Sequence, residues 1–356
     1  MKNKEDKEII NTYSKSGVNI GEIKKNQRKI GDLISLTHSF QKLGRVISGF
    51  GHYAGLIELD ENVIAMHTDG VGTKVIIAQI MQKYDTVGID CIAMNANDII
   101  CVGAKPFAFV DYIALKKPDS KIIKNLVKGL IKGAKMANVS IVGGETAIVP
   151  DILAENENTF DLAGTMIGLT KKADLVLGNK IQHDDVIIGL ESNGLHSNGY
   201  SLVRKVLLTK YNLDYKPSCL EYRLGEELLK PTTIYAKPML KLIEKKTKIH
   251  GLANITGGSF SKLSRLNSNV SFNLKNFPKP QNIFKFIKEE GKIDLVEMYR
   301  TFNMGIGFCV ILSKESMESS IDIIEKFNIK THVLGHVDNS NKGQVIAHLD
   351  NKNCIL

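Results

Sequence analysis

Residues 62–74 read NVIAMHTDGVGTK, and residues 86–106 read TVGIDCIAMNANDIICVGAKP. Asn62 to His67 has the apolar run of a buried strand. It passes into a predicted loop, Thr68 to Lys74, whose two glycines let the backbone approach a ligand closely. In the second stretch Val87, Ile89, Ile92, Ala93, Ile99 and Ile100 recur near helical period, which predicts a helix over 86–102. Gly103 ends it and Pro106 lies just beyond, the usual stop pattern.

The same alternation continues outward. Phe107 to Leu115 is a predicted strand. Pro118-Asp119-Ser120 signals a helix start, and Ile122, Ile123, Leu126, Val127, Leu130, Ile131 and Ala134 form its apolar stripe. A short strand follows at Val139 to Val142, then a turn Gly143-Gly144-Glu145-Thr146, then a strand at Leu162 to Leu169. The polar stretch Thr170 to Asp184 separates two halves, so the expected domains are 1–172 and 173–356. In the second half, Val186 to Leu190 reads as a strand, Ser192 to Gly199 as a loop and Tyr200 to Thr209 as a helix. A loop at Thr256-Gly257-Gly258, a strand Phe308 to Leu312, a helix near 315–327 and a strand near 331–337 complete the expected fold. Strands and helices alternate throughout, so the class is α/β (α+β) in two domains.

Composition narrows the function. The 356 residues carry a net charge of +9, yet Lys and Arg are spread along the chain; aromatics are 6% and Trp is absent. A lysine-rich surface that keeps the protein soluble accounts for the charge, attraction to anions such as small phosphorylated molecules is the sharper reading, and the spread of charge and few aromatics argue against nucleic-acid binding. Five widely spaced cysteines form no C-x-x-C pair, which points to neither a disulfide framework nor a zinc site. No run reaches membrane-span length and the N-terminus has no apolar leader, so a cytoplasmic protein is expected.

Several polar clusters interrupt this pattern. In the first, Asp69 offers hard oxygens for Mg²⁺ and Lys74 a positive charge beside the Gly70 to Thr73 backbone. An ordinary tight turn reads the same, and the Walker A spacing is absent. Asn95 and Asp98 share one helix face within an apolar helix, so the carboxylate there must be paired, hydrated or metal-bound. Gly143-Gly144-Glu145 follows a strand, a common ligand position in α/β proteins. Gly194-Leu195-His196-Ser197-Asn198-Gly199 opens a helix, suited to an anion or to a plain N-cap. Arg300, in Tyr299 to Asn303, has the fork to clamp phosphate, though a surface arginine fits as well.

Together these segments resemble the phosphoribosylformylglycinamidine cyclo-ligase family. The matching stretches are SGVNI (16–20), SGFGHYAG (48–55), HTDGVGTK (67–74), GIDCIAMNAND (88–98), FVDYIAL (109–115), VGGETAIVP (142–150), DLAGT (161–165), SNGLHSNGYSLVRKVL (192–207), NITGGSF (254–260) and EMYRTFNMGIG (297–307). The Asp98 to Pro106 pattern belongs to a wider superfamily of ATP-using enzymes, and the later segments narrow it. The resemblance implies a homodimer whose N-terminal domains pair through strands, with ATP and Mg²⁺ bound near the pairing. It implies Asp69, Asp98 and Glu145 as metal ligands. Thr68, Asp69, Gly70, Gly72, Thr73, Lys74, Asn97, Gly143, Gly144 and Glu145 would meet ATP. His196, Ser197, Asn198, Gly257, Gly258, Arg300, Thr301 and Asn303 would meet the formylglycinamidine ribonucleotide, with Asp98 and His196 as catalytic groups. The implied reaction phosphorylates the formyl oxygen, after which the amidine-side nitrogen attacks and phosphate leaves.

Two departures stand out. Ser259 occupies the place of the family's usual third glycine, and the 21–31 segment does not mark which of Lys24, Lys25 and Lys29 meets ATP. The competing expectations are another ATP-using member, such as a thiamine-monophosphate kinase, and a non-catalytic nucleotide-binding regulator.

Overall fold

The central helix forms over Asp85–Cys101, and every residue in it from Thr86 onward is buried. A helix buried on all sides must be enclosed by other elements, and its polar residues must find partners inside the protein. That requirement organises the molecule. The computed structural model describes residues 12, 20–48, 51–154, 156–339 and 343–356.

The first half runs α1 (Ile20–Ser35), β1 (Arg45–Val46), β2 (Gly55–Leu59), β3 (Asn62–Gly70), α2 (Lys74–Met81), α3 (Asp85–Cys101), β4 (Lys105–Leu115), α4 (Ser120–Ala137), β5 (Ser140–Ile148) and β6 (Phe160–Lys171). The second half runs β7 (Val186–Glu191), α5 (Tyr200–Leu207), α6 (Leu224–Leu228), α7 (Ala236–Glu244), β8 (Ile249–Asn254), β9 (Ser271–Leu274), α8 (Asn282–Gly291) and α9 (Leu295–Thr301). It ends with β10 (Ile306–Leu312), α10 (Met317–Glu325), β11 (Thr331–Asp338), β12 (Val345–Leu349) and β13 (Lys352–Ile355).

Each half builds one sheet. The first is six-stranded in the order β1-β2-β3-β6-β4-β5, and the second is seven-stranded in the order β13-β12-β9-β11-β7-β10-β8. β4 and β5 pair in parallel, while β3 and β4 flank β6 antiparallel. α3 and α4 pack together, and α3 covers the inner face of the first sheet while also touching β8 and α7 of the second half. Their close approach depends on glycine: a Cβ at Gly129 would sit 1.9 Å from the Asp85 carbonyl oxygen. The outer face of the first sheet is bare and apolar, with Met66, Val110, Tyr112, Val142 and Leu169 all exposed.

The structure corrects four expectations. β3 continues through Thr68, Asp69 and Gly70, which pair with Thr165, Gly164 and Ala163, so only Val71 to Thr73 remain as connection. Glycine without a side chain is tolerated in a strand when its neighbours are paired, and β5 likewise runs through Gly143-Gly144-Glu145-Thr146 to Ile148, alongside β4. α2, over KVIIAQIM, was hidden by its short length. The chain also continues past 331–337 into the hairpin β12–β13. Of the matching segments, Ser16 to Asn19 and Gly49-Phe50 lie outside the described residues, as do the side chains of Lys24 and Lys25.

Candidate active site

Alternation along β3 points Val63 and Ala65 into the core, and Asp69 follows them onto the inner face where α3 lies. Asn95 of α3 bridges the two elements: its Nδ2 donates to the Asp69 carbonyl (3.2 Å) and to the Cys91 carbonyl (2.9 Å). Asp98, three residues on, shares that face. Its Oδ1 accepts from Asn254 Nδ2 at 2.6 Å, and its Oδ2 lies 3.4 Å from His67 Nε2. The polar helix face therefore does not meet bulk water; it meets β3 on one side and the end of β8 on the other.

Electrostatics mark this junction. Burial, and then the Asp98 charge, raise the Asp69 carboxyl above its ordinary range. Lys262, from the turn after Gly257-Gly258, is buried among the same groups. Burial lowers its ammonium, and the Asp98 and Asp69 charges oppose that fall. Its Nζ donates to Thr256 Oγ1 and lies 5.6 Å from the centre of the Tyr53 ring. Burial also lowers His52, with the Asp98 charge acting the other way. Two carboxylates and one ammonium converge where the two halves meet.

A second network lies deeper. Lys74, the first residue of α2, and Asp90 of α3 are both 0% exposed, with Nζ 2.8 Å from Oδ2. Lys74 Nζ also donates to the carbonyls of His196 (3.0 Å) and Lys230 (2.7 Å). Asp90 Oδ1 accepts from the amide (2.7 Å) and the hydroxyl (2.6 Å) of Thr232. His196 adopts φ +61°, and its Nε2 accepts from the amides of Asn193 (3.2 Å) and Thr233 (3.4 Å). Burial, and then the Lys74 charge, lower its imidazole to about 3. His196 is a neutral acceptor in this fold.

The three loops of the second half converge. A Cβ on Gly257 would stand 3.2 Å from Asn198 Oδ1, and one on Gly199 would strike the Phe302 ring at 2.3 Å. Asn303 Oδ1 accepts from Ser192 Oγ (3.0 Å), and its Nδ2 donates to the Gly194 carbonyl (2.9 Å). Gly258 takes φ +84°, a conformation glycine adopts without strain, and Ser259 takes φ +47° with its hydroxyl donating to the Phe302 carbonyl at 2.7 Å. Ser197 and Thr301 are buried within this assembly.

Other sequence candidates fall elsewhere. Thr68 points to the outer face, where its hydroxyl donates to the Gly164 carbonyl at 3.0 Å. The Val71, Val75 and Ile76 amides are committed to the Leu162, Gly72 and Thr73 carbonyls, which leaves Gly72, Thr73 and Lys74 for an anion. Asn97 is buried and spans to the second half, donating to the Thr233 carbonyl and accepting from the Tyr235 amide, each at 2.8 Å. Gly144 faces inward against Asp111, so alternation along β5 turns Gly143 and Glu145 to the outer face, beside Val110 and Tyr112. Glu145 is thus not brought to Asp69 and Asp98 within one chain. Arg300 is exposed and donates to the Ile355 carbonyl at 2.7 Å, away from the converging loops. Among the described residues no group of three or more His, Cys, Asp or Glu side chains is arranged to hold a metal.

Sequence reasoning passed over Asp90, His67, Asn254, Tyr53 and Lys262. Asp90 carried a legible signal, since a carboxylate eight residues before Asp98 in the same apolar helix faces the same demand for a partner. The others sit on separate elements that only the tertiary fold brings to Asp98.

Two α/β halves enclose one buried helix, with Asp69 and Asp98 at their junction, and each half matches one domain of the AIR synthase related proteins. Residues 51–170 match the family described as AIR synthase related protein, N-terminal domain, and residues 182–348 match its C-terminal domain. The chain is 44% identical over 329 residues to the phosphoribosylformylglycinamidine cyclo-ligase of Methanothermobacter thermautotrophicus, covering 92% of this chain and 94% of that one. It is 46% identical over 321 residues to the enzyme of the same name from Pyrococcus horikoshii, covering 89% and 92%. Among solved structures, the hydrogenase maturation protein HypE in complex with ATP superposes with a TM-score of 0.58 at 16% identity, covering 82% of this chain and 84% of that one. The chain belongs to the phosphoribosylformylglycinamidine cyclo-ligase family.

Proposed function

We propose that this protein is the ATP-dependent cyclo-ligase that converts formylglycinamidine ribonucleotide to aminoimidazole ribonucleotide, with release of ADP and phosphate, in purine biosynthesis. The observation that carries the reading is the bond from Asn254 to Asp98, 2.6 Å long, which ties the carboxylate pair of the first half to the Gly257-Gly258 loop of the second. The relatives at 44–46% identity carry this activity in their names, and the HypE structure holds ATP on the same fold.

The residues fit a magnesium nucleotide. Mg²⁺ is held typically by one or two carboxylates together with substrate phosphates, and Asp69 with Asp98 supplies such a pair, in which burial and then the Asp98 charge raise Asp69. When bound, the ion would neutralise charge on the phosphates. The chain's own part is to position and to offset charge. Gly72 to Lys74 offer amides to the phosphates. Lys262 places a cation beside the carboxylates. The loops around Asn198, Gly257 and Asn303 hold the ribonucleotide. Phosphorylation of the formyl oxygen by ATP gives ADP and an imidate phosphate; attack by the amidine-side nitrogen on that carbon then closes the ring as phosphate departs. His196, neutral and buried, shapes its loop as an acceptor.

We further propose a homodimer through the outer face of the first sheet. The exposed Met66, Val110, Tyr112, Val142 and Leu169 form an apolar surface that needs covering, and Glu145 lies on that face, so a second subunit is what would bring it toward a nucleotide. No helix among the described residues is long and apolar enough to cross a membrane, and the cysteines are free, in keeping with a cytoplasmic setting.

The test is a coupled assay with purified protein, Mg²⁺, ATP and formylglycinamidine ribonucleotide. Stoichiometric aminoimidazole product and ADP, both absent without the ribonucleotide, support the reading. ADP formed only with thiamine monophosphate as acceptor would keep the fold family and overturn the substrate.

A further inference from the structure

The Lys74–Asp90 pair is buried, complete and so far without a task. Taking two charges out of water is costly, and apolar residues of the same volume often stabilise as well or better. What such a pair provides that apolar residues do not is a set of directed bonds. Both partners belong to the first half, on α2 and α3, and every further bond they make crosses to the second: Lys74 to the His196 and Lys230 carbonyls, Asp90 to the Thr232 amide and hydroxyl. Thr232 Oγ1 lies 3.1 Å from Ser197 Oγ, which closes the network onto the loop of His196 and Ser197. His196 holds φ +61°, a conformation costly for a residue with a side chain unless its surroundings enforce it. The Lys74 ammonium on its carbonyl is part of that enforcement. On the other side, Lys74 directly follows Gly72 and Thr73, so the strut begins at the glycine loop itself.

We propose that Lys74 and Asp90 are positioning residues that fix the 194–199 loop and the 230–233 segment against the glycine loop, and so set the nucleotide and the ribonucleotide in reacting register. This departs from a phosphate contact by Lys74, whose ammonium is enclosed by three protein acceptors. What the two loops bind rests on the cyclo-ligase reading; that the strut orders them does not.

The test compares the native protein with Lys74→Met/Asp90→Asn, which removes both charges but keeps an amide oxygen for Thr232, and with Thr232→Val and Thr232→Ser. Thermal midpoint, ATP affinity by calorimetry, kcat and KM for the ribonucleotide, and hydrogen exchange at residues 194–199 are measured on each. The double variant is expected to keep its ATP affinity while kcat/KM for the ribonucleotide falls about a hundredfold, the cost of a misplacement on the order of 1 Å. Exchange at 194–199 quickens. Thr232→Val shows the same pattern more weakly, and Thr232→Ser restores native behaviour. Native kcat/KM in a stable double variant would overturn the proposal, as would ATP affinity falling in step with kcat/KM, which marks a phosphate contact. If the double variant does not fold, the Thr232 pair decides: equal exchange and equal kcat/KM in the Val and Ser variants refute the strut. Should the native chain not turn over the ribonucleotide, the cyclo-ligase reading fails by itself, and exchange at 194–199 in Thr232→Val against Thr232→Ser still decides the positioning.

Discussion

His196→Asn tests the neutral, buried imidazole most directly. In the fold its imidazole is lowered to about 3 by burial and by the Lys74 charge. In the unfolded chain it returns to about 6.5. Below the unfolded value the unfolded chain binds a proton that the folded one refuses, so stability is lost as pH falls. The loss runs at about 1.4 kcal/mol per pH unit, and reaches about 2.5 kcal/mol between pH 7 and pH 4.5. Above the unfolded value the contribution is fully present and flat. Protonation would also convert Nε2 from acceptor to donor, against the Asn193 and Thr233 amides. Asparagine suits the replacement because it tolerates positive φ and carries an acceptor oxygen. The variant will be less stable at pH 7, since a cavity opens beside Tyr235 and Gly307, but that offset is common to all pH values. The informative quantity is the slope. Urea denaturation of both proteins at pH 7, 6, 5 and 4.5 cancels the carboxylates they share. The native protein is expected to lose about 2.5 kcal/mol more than the variant across that range. Parallel curves would refute both the burial argument and the neutral tautomer.

Three further outcomes follow from the geometry. Asp98→Asn keeps the volume of a side chain held between Asn254 and His67; circular dichroism should show a folded protein, while ATP turnover falls by about a hundredfold or more, and full activity would remove Asp98 from the nucleotide site. Gly129→Ala places a methyl 1.9 Å from the Asp85 carbonyl oxygen; the forced separation of α3 and α4 should cost about 2–3 kcal/mol by chemical denaturation, and an unchanged midpoint would contradict the close packing. Val142→Glu puts a charge in the apolar outer face, where Val142 is 65% exposed; sedimentation should shift from the proposed dimer toward monomer without loss of secondary structure, and an unchanged sedimentation profile would refute pairing through this face.

Much of the fold was legible because its periods are strong. The α3 and α4 stripes, the stop at Gly103 to Pro106 and the strands at 107–115, 162–169, 186–190 and 308–312 all follow from local pattern. The errors cluster at glycine. HTDG and GGET look like turns because glycine usually punctuates; here they lie within strands, where a Cβ on Gly144 would stand 2.5 Å from Asp111 Oδ1 and one on Gly164 of the neighbouring strand 2.1 Å from the Phe109 ring. That requirement belongs to the tertiary fold and leaves no local trace. The same holds for Asn254, whose partner Asp98 is contributed by the other half of the chain, and for Lys262, which meets the Tyr53 ring of that half.

Lys74 shows where motif and geometry part. A lysine behind a glycine loop invites a phosphate reading, because the two are contiguous in sequence and phosphate sites often combine them. The structure turns the backbone at Lys74 into α2, and the side chain runs inward, over the Tyr200 ring at 5.7 Å, to Asp90. A free ammonium at a phosphate site would need an open path, whereas here two carbonyls accept from it and the Asp90 carboxylate pairs with it. Lys262, two residues past the NITGGSF segment, places an ammonium whose charge acts on Asp98 and Asp69 instead. Charge balance at a phosphoryl-transfer site is a property of volume and not of sequence, so an ammonium can be contributed by any element that reaches it. A motif lysine released from that duty can serve the geometry on which the reaction depends.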